Sequence, residues 1–197
     1  ELAAVIVDPV PPRAGMRPLD REFVEVLRAL TREMGILLIY DEVIAFRFGF
    51  GGSQTRYGGD PDLTVIGKII GGGYPIGAVA GRADVMDAAS ELAASSGTFT
   101  ANPISLGAGL ATMQALTPPV FDALDRQGER VRAACTEVFA KRSLPFQVSG
   151  TGSVFSVYFH PRDVRDYRTY FKSPEEQALT ARFHTCLLYT SDAADDF

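Results

Sequence analysis

Two short apolar runs, each followed by a charged residue and set among glycines, constrain this chain more than any other feature. The first is Gly35-Ile-Leu-Leu-Ile-Tyr-Asp41-Glu-Val43, and the second is Leu63-Thr-Val-Ile-Gly-Lys68-Ile-Ile-Gly-Gly-Gly-Tyr-Pro-Ile-Gly77. Short runs without regular polar alternation are the pattern of strands covered on both faces, which belong to parallel sheets packed between helices. Ala3 to Val7 is a third such run, and Ala78 to Ala80 is a shorter candidate. Between the first two strands Phe23, Val26, Leu27, Leu30 and Met34 recur at three- and four-residue spacing, which predicts a helix with one apolar face. Asp20 is placed to cap its start and Gly35 to stop it. Strand and helix units in alternation predict an α/β layered fold with a mostly parallel sheet.

After Pro103 the pattern turns helical, with Asn102 as cap and Pro103 at the first helical position. Pro118-Pro119 reads as a break and is taken as a domain boundary, giving a large domain over 1–117 and the start of a smaller α+β domain over 118–183. Helical patterning resumes from Val120 to Arg142, and Gln147 to Phe159 reads as one or two strands. A buried parallel strand at the opening needs neighbours on both sides, so the chain reads as an internal piece of a larger protein. The segment after Cys186 resembles translated sequencing-adaptor read-through, and 184–197 is expected to be a non-native tail.

Charge and composition narrow the function classes. The formal net charge of -5 and the scattered Lys and Arg argue against nucleic-acid binding. No apolar stretch approaches the roughly 20 residues of a membrane helix. Cys135 and Cys186 have no CxxC spacing, which points to a reducing compartment and no structural zinc. A cytoplasmic location is expected.

The chemistry gathers at the strand ends, where α/β folds bind ligands. Lys68 follows Asp41 by 27 residues, so one strand end delivers a carboxylate and another an amine. A pyridoxal phosphate site needs that pair: an amine to hold the aldehyde and an acid to keep the ring nitrogen protonated. A lysine at a strand end is ordinarily a solvated charge. Here Ile66, Ile69 and Ile70 flank it and lead to the expectation of a buried stem. Burial disfavours an ammonium and supplies the neutral amine that nucleophilic chemistry needs. Nucleotide loops are excluded. The Walker pattern fails at Asp62 and Ile69, and the dinucleotide pattern fails at Ile76.

The remaining candidates each carry two readings. Asp41 follows an apolar run and needs a partner, which a pyridinium nitrogen, loop amides or Arg47 would supply. Glu42 is expected to point elsewhere. Val43 either returns to the core or packs on a cofactor ring. Gly97-Thr98-Phe-Thr-Ala-Asn-Pro103 suits a phosphate at a helix start, or is simply a capped helix. His160 and His184 form no metal spacing, and Ser153 lacks the nucleophile-elbow pattern.

With Asp41-Glu-Val43, the Gly67-Lys68 motif and Gly97-Thr98 in this order, the chain resembles the class III aminotransferases over residues 1 to about 183. The branch resembled contains glutamate-1-semialdehyde aminomutase and β-amino-acid aminotransferases. The resemblance implies the fold-type I architecture, pyridoxal 5'-phosphate as cofactor, and amino transfer between a small-molecule donor and an oxo-acid or aldehyde acceptor. It further implies that Lys68 forms the Schiff base and moves the proton, Asp41 faces the pyridine nitrogen, and Val43 packs on one ring face. Gly97 and Thr98 would contact the phosphate bound by a second subunit, hence a homodimer. Asp8-Pro9-Val10 stands where Glu-Pro-Val is typical, a departure expected to lie away from the chemistry. Intramolecular amino transfer of the aminomutase type is one alternative, and a truncated product without activity is another.

Overall fold

The computed structural model describes residues 2–92, 97–142 and 145–190. Four strands form one sheet in the order β1 (Ala4–Val7), β2 (Leu37–Glu42), β3 (Leu63–Gly67) and β4 (Gly77–Gly81). β1 pairs parallel to β2 and β2 parallel to β3, while β4 returns antiparallel beside β3. This is the mostly parallel, helix-flanked sheet expected from the uninterrupted apolar runs. Val7 lies level with Tyr40, and Asp41 level with Val65. The chain therefore leaves β1, β2 and β3 along one edge.

Helix α1 (Arg21–Glu33) connects β1 to β2 and seats Val24 and Leu27 against Leu38 and Tyr40, with Val7 and Leu19 completing the cluster. Val24 and Leu38 are almost wholly buried. Burial of such a side chain stabilises by about 1.5–3 kcal/mol. The stripe expected to face the core is largely not the one used. Phe23, Val26, Leu30 and Met34 are exposed, and Val24, Leu27 and Thr31 supply the packed face. The helix carries two apolar stripes, and the sheet of this chain covers only one. Asp20 occupies the cap position without a side-chain cap bond.

Just before β3, Asp62 joins several elements through one carboxylate. It accepts from Arg28 Nη1 at 2.7 Å and Nη2 at 3.2 Å, from the Leu38 amide at 2.8 Å and from Arg82 Nη1 at 2.9 Å. Its side chain is only 3% exposed. Burial alone would push the carboxyl up. The Arg28 guanidinium, the Leu38 amide and Arg82 outweigh it and hold the group well below the usual carboxylate range.

The glycine-rich segment after β2 includes the short helix α2 (Gln54–Tyr57). Helix α3 (Ala83–Leu92) follows β4, and α4 (Pro103–Ala115) begins at the predicted cap. Asn102 Oδ1 accepts from the amides of Ile104 at 2.9 Å and Ser105 at 3.4 Å, a cap worth about 1 kcal/mol. Pro118-Pro119 opens α5 (Pro118–Lys141) rather than breaking the chain, because a proline in the first turn gives up no helical hydrogen bond.

The chain forms two compact units, Glu1–Val10 with Pro18–Arg126 and Pro11–Arg17 with Gln127–Phe197. The division falls inside α5, further along than the boundary expected at Pro118. In the second unit β5 (Gln147–Thr151) and β6 (Val154–Tyr158) pair as an antiparallel hairpin, followed by α6 (Tyr167–Tyr170) and α7 (Pro174–Thr190). Phe139, Phe146, Phe159 and Phe183 pack with ring centroids 5.1–5.8 Å apart. Of the expected non-native tail, 184–190 continue α7, and 191–197 lie outside the described residues. Among the described residues no helix is long and apolar enough to cross a membrane.

Candidate active site

The parallel register brings the predicted acid and amine to one edge. Asp41 is the penultimate residue of β2, and Lys68 directly follows β3, whose Val65 is level with Asp41. Val43 comes to the same place. Its Cγ1 lies 3.5 Å from where a side chain on Gly67 would begin, so it packs beside the residue that precedes Lys68. Asp41 is half-buried, and its Oδ1 accepts from the Val43 amide at 3.1 Å. That bond matches the loop-amide reading of Asp41 and leaves further acceptor capacity on the carboxylate.

Lys68 departs from expectation: it is exposed. It begins a 3₁₀ turn, Lys68–Gly71, with φ at +49°. This left-handed backbone carries the side chain away from the apolar layer, and Ile70 is buried in its place. A non-glycine residue held in that region costs on the order of 1–2 kcal/mol. An open cavity of about 480 Å³ is lined by Lys68, Gly73, Tyr74, Pro75 and Ile76. That volume lies in the range that takes a small ligand, and no atom lies within 4 Å of the position a Gly73 side chain would fill.

Helix α4 supports this turn from behind. A Cβ on Gly109 would lie 2.6 Å from the Ile70 carbonyl oxygen, and one on Gly72 would lie 2.9 Å from the Ala108 carbonyl oxygen. Backbone thus meets backbone where the turn rests on the helix. Gly97 and Thr98 are exposed and start a turn ahead of α4, closed by the Thr100 amide on the Gly97 carbonyl at 3.0 Å. Among the described residues no hydrogen bond ties Thr98 to the Asp41 and Lys68 edge.

Two acids beside these were undervalued from sequence. Glu42 does point away from Asp41, as strand alternation requires. It is fully buried and accepts from the amides of Ser53 at 2.8 Å and Gln54 at 3.1 Å, fixing the loop that opens α2. Burial pushes its carboxyl up, and those two amides oppose the rise. Asp8 leaves β1 at the same edge and was expected to lie away from the chemistry. Burial pushes its carboxyl up, the Val10 amide opposes the rise, and the charges of Asp41 and Glu42 add to it. The signal was present, since Asp8 follows an apolar run just as Asp41 does.

A family model for aminotransferase class-III matches residues 1–191. The chain belongs to the class III aminotransferases. It is 41% identical over 192 residues to a glutamate-1-semialdehyde 2,1-aminomutase of Desulforudis audaxviator (strain MP104C), covering 95% of this chain and 44% of that protein. An omega-transaminase from Sphaerobacter thermophilus superposes with a TM-score of 0.89 at 45% identity, over 95% of this chain and 44% of its own. A transaminase with PLP bound superposes with a TM-score of 0.76 at 37% identity, over 79% of this chain and 38% of its own. The chain therefore spans less than half the length of these class III relatives. Its sheet and flanking helices are part of the fold-type I architecture that they share.

Proposed function

We propose that the protein containing this chain is a cytoplasmic homodimer that transfers an amino group between a small-molecule amino donor and an oxo-acid or aldehyde acceptor, with pyridoxal 5'-phosphate bound at Lys68. The observation that carries this reading is that Asp41 and Lys68 stand at the carboxyl ends of adjacent parallel strands, Asp41 within β2 and Lys68 just after β3. The residues present fit the cofactor: an exposed amine lines an open cavity, and a half-buried carboxylate lies on the neighbouring strand. When bound, the cofactor supplies an electron sink for charge that develops on the substrate carbon.

The roles of the chain's own residues follow from their chemistry. Lys68 Nζ would be the nucleophile that holds the cofactor's aldehyde carbon, and its amine would serve as the base that moves the proton at the substrate carbon. The Asp41 carboxylate would pair with the ring nitrogen and maintain its positive charge. Val43, which lies next to Gly67, would pack on one ring face. Gly97 and Thr98 would serve the phosphate bound by a partner subunit, a reading supported by their exposure ahead of the N-terminus of α4. In this scheme 1–117 belong to the cofactor domain, and 118–183 begin the smaller one.

The chain contains three lysines, Lys68, Lys141 and Lys172, so the test has internal controls. Incubation with pyridoxal phosphate, reduction with borohydride and peptide mapping should place the label selectively on Lys68. Labelling no greater at Lys68 than at Lys141 and Lys172 overturns the reading and favours a product without activity. Intramolecular transfer, the activity named for the Desulforudis relative, is the second reading. Turnover of an amino aldehyde without any added oxo acceptor selects it.

A further inference from the structure

We propose that a cavity in the second unit binds a small aromatic carboxylate, with the anionic head on Lys172 and the ring among Phe155, Tyr170 and Phe183. The proposal does not depend on the reading of Asp41 and Lys68. The cavity measures about 350 Å³, a volume in the range of small-ligand sites. Phe155 and Tyr158 of β6, Tyr170 of α6, Thr180 and Phe183 of α7, and Lys172 between the two helices are among the residues that line it. All of them belong to the second unit.

The apolar walls are fixed by their own packing. Tyr158 is almost wholly buried, and its ring meets that of Tyr170 edge-on at 5.9 Å. Phe183 packs against Phe139 at 5.8 Å and against Phe159 at 5.2 Å. Rings held in this way offer a preformed surface to a further ring.

Lys172 supplies the charge. It is half-buried, and its Nζ stands 5.2 Å from the Tyr158 ring centroid and 6.0 Å from that of Tyr170. An ammonium has three hydrogens to donate. Among the described residues its hydrogen-bond partner is Thr180 Oγ1, at a long 3.5 Å. The Thr180 hydroxyl is itself committed to the Glu176 carbonyl at 2.8 Å. Glu176 is the acid whose charge reaches Lys172, yet its carboxylate is engaged by Arg162 at 2.7 Å and by the Ser173 amide at 2.8 Å. Burial pushes the Lys172 amine down, and Glu176 opposes the fall.

A carboxylate seated in the cavity gives the ammonium the anionic partner that the neighbouring side chains withhold. An aromatic body covers the ring walls at the same time. A bare anion would leave those walls in water, and a neutral aromatic would leave Lys172 as it is. The cavity therefore selects for both features in one small molecule.

Benzoate is the probe. Titrated into the purified chain and followed by NMR, it should bind saturably with a Kd on the order of 1 mM. Acetate carries the charge without the ring, and benzyl alcohol the ring without the charge. Each should bind at least about tenfold more weakly. K172M keeps an unbranched side chain without the ammonium and should weaken benzoate about tenfold, while K172R should stay within about threefold of the wild type. Lys68 also lines a cavity, so peptide mapping locates the ligand in the wild type without any variant. Benzoate should protect Lys172 from an amine-acylating reagent and leave Lys68 and Lys141 as reactive as before. Absence of saturation, unchanged affinity in K172M, protection at Lys68 instead of Lys172, or equal binding of acetate and benzoate overturns the proposal.

Discussion

Gly109 of α4 lies against the Ile70 carbonyl, close enough that an added Cβ would stand 2.6 Å from that oxygen. This contact sets the depth of the turn that presents Lys68. Substitution of a helical glycine by alanine ordinarily gains about 1 kcal/mol of helix propensity. At Gly109 the neighbour is backbone and cannot swing aside, so overpacking of about 1–3 kcal/mol outweighs the gain. Gly107, two residues earlier, has no atom within 4 Å of its missing Cβ. Thermal unfolding should therefore show G109A melting below the wild type and G107A above it. A rise in both would mean that α4 does not seat the Lys68 turn.

Asp62 should dominate the acid limb of stability. Its carboxylate, 3% exposed, pairs with an Arg28 side chain that is 11% exposed, while Arg82 at 53% contributes less across solvent. Removing one partner of a buried pair costs about 3–5 kcal/mol, and D62N should lose that much at neutral pH. The folded carboxyl titrates below its unfolded value near 3.8. Its contribution is therefore complete above that value and is lost as pH falls through the folded one. Denaturant unfolding from pH 7 to 3 should show a wild-type advantage over D62N that shrinks below about pH 4. A constant advantage would rule out the ionised carboxylate as its source.

Strand existence and the chemical edge were legible because both depend on local pattern. An uninterrupted apolar run has few homes other than a covered strand, and the residue following it has to emerge at the strand end. What was not legible depends on relations between elements. Two apolar stripes on α1 look alike until the sheet selects Val24 and Leu27 over Phe23 and Met34. Ile66, Ile69 and Ile70 suggested a buried Lys68, but the outcome turned on one backbone angle that no composition encodes. Pro118 can end one segment or open the next, and only the helix that forms decides. Asp8 offers the same signal as Asp41, yet as the first residue of Asp8-Pro9-Val10 it reads only as a departure from the Glu-Pro-Val of the resembled family.

Glu42 should give a pH response opposite in sign to that of Asp62. It is fully buried and accepts from the Ser53 and Gln54 amides, and burial raises its folded carboxyl above the unfolded value near 4.5.

 A protonated Glu42 is thus favoured by folding, and its contribution is full below the unfolded value and declines as pH rises through the folded one. E42Q keeps the shape and cannot ionise, but leaves one loop amide poorly satisfied at a cost of about 1–3 kcal/mol. The deficit of E42Q relative to wild type should be largest near pH 4 and smaller at pH 8, with faster amide exchange at Ser53 throughout. A deficit that grows with pH would show that the carboxylate, not the acid, is the form the loop prefers.

Replacement of Lys68 separates the backbone's share of the site from the amine's. Its φ of +49° is a conformation that glycine adopts without steric penalty and alanine does not. K68A and K68G both lack the amine, and their difference isolates the strain. Left-handed backbone costs a non-glycine residue about 1–2 kcal/mol, while glycine's extra freedom in the unfolded chain returns roughly 0.5–1 kcal/mol of that. K68G should therefore unfold at higher denaturant concentration than K68A by up to about 1 kcal/mol, and neither should take up the borohydride label at this position. Lys68 is exposed, so loss of its side chain removes little packing, and K68A should stay close to the wild type in stability. Equal stability of K68A and K68G would mean that the turn relaxes out of the left-handed region, and a K68A variant far less stable than wild type would place the side chain in the core after all.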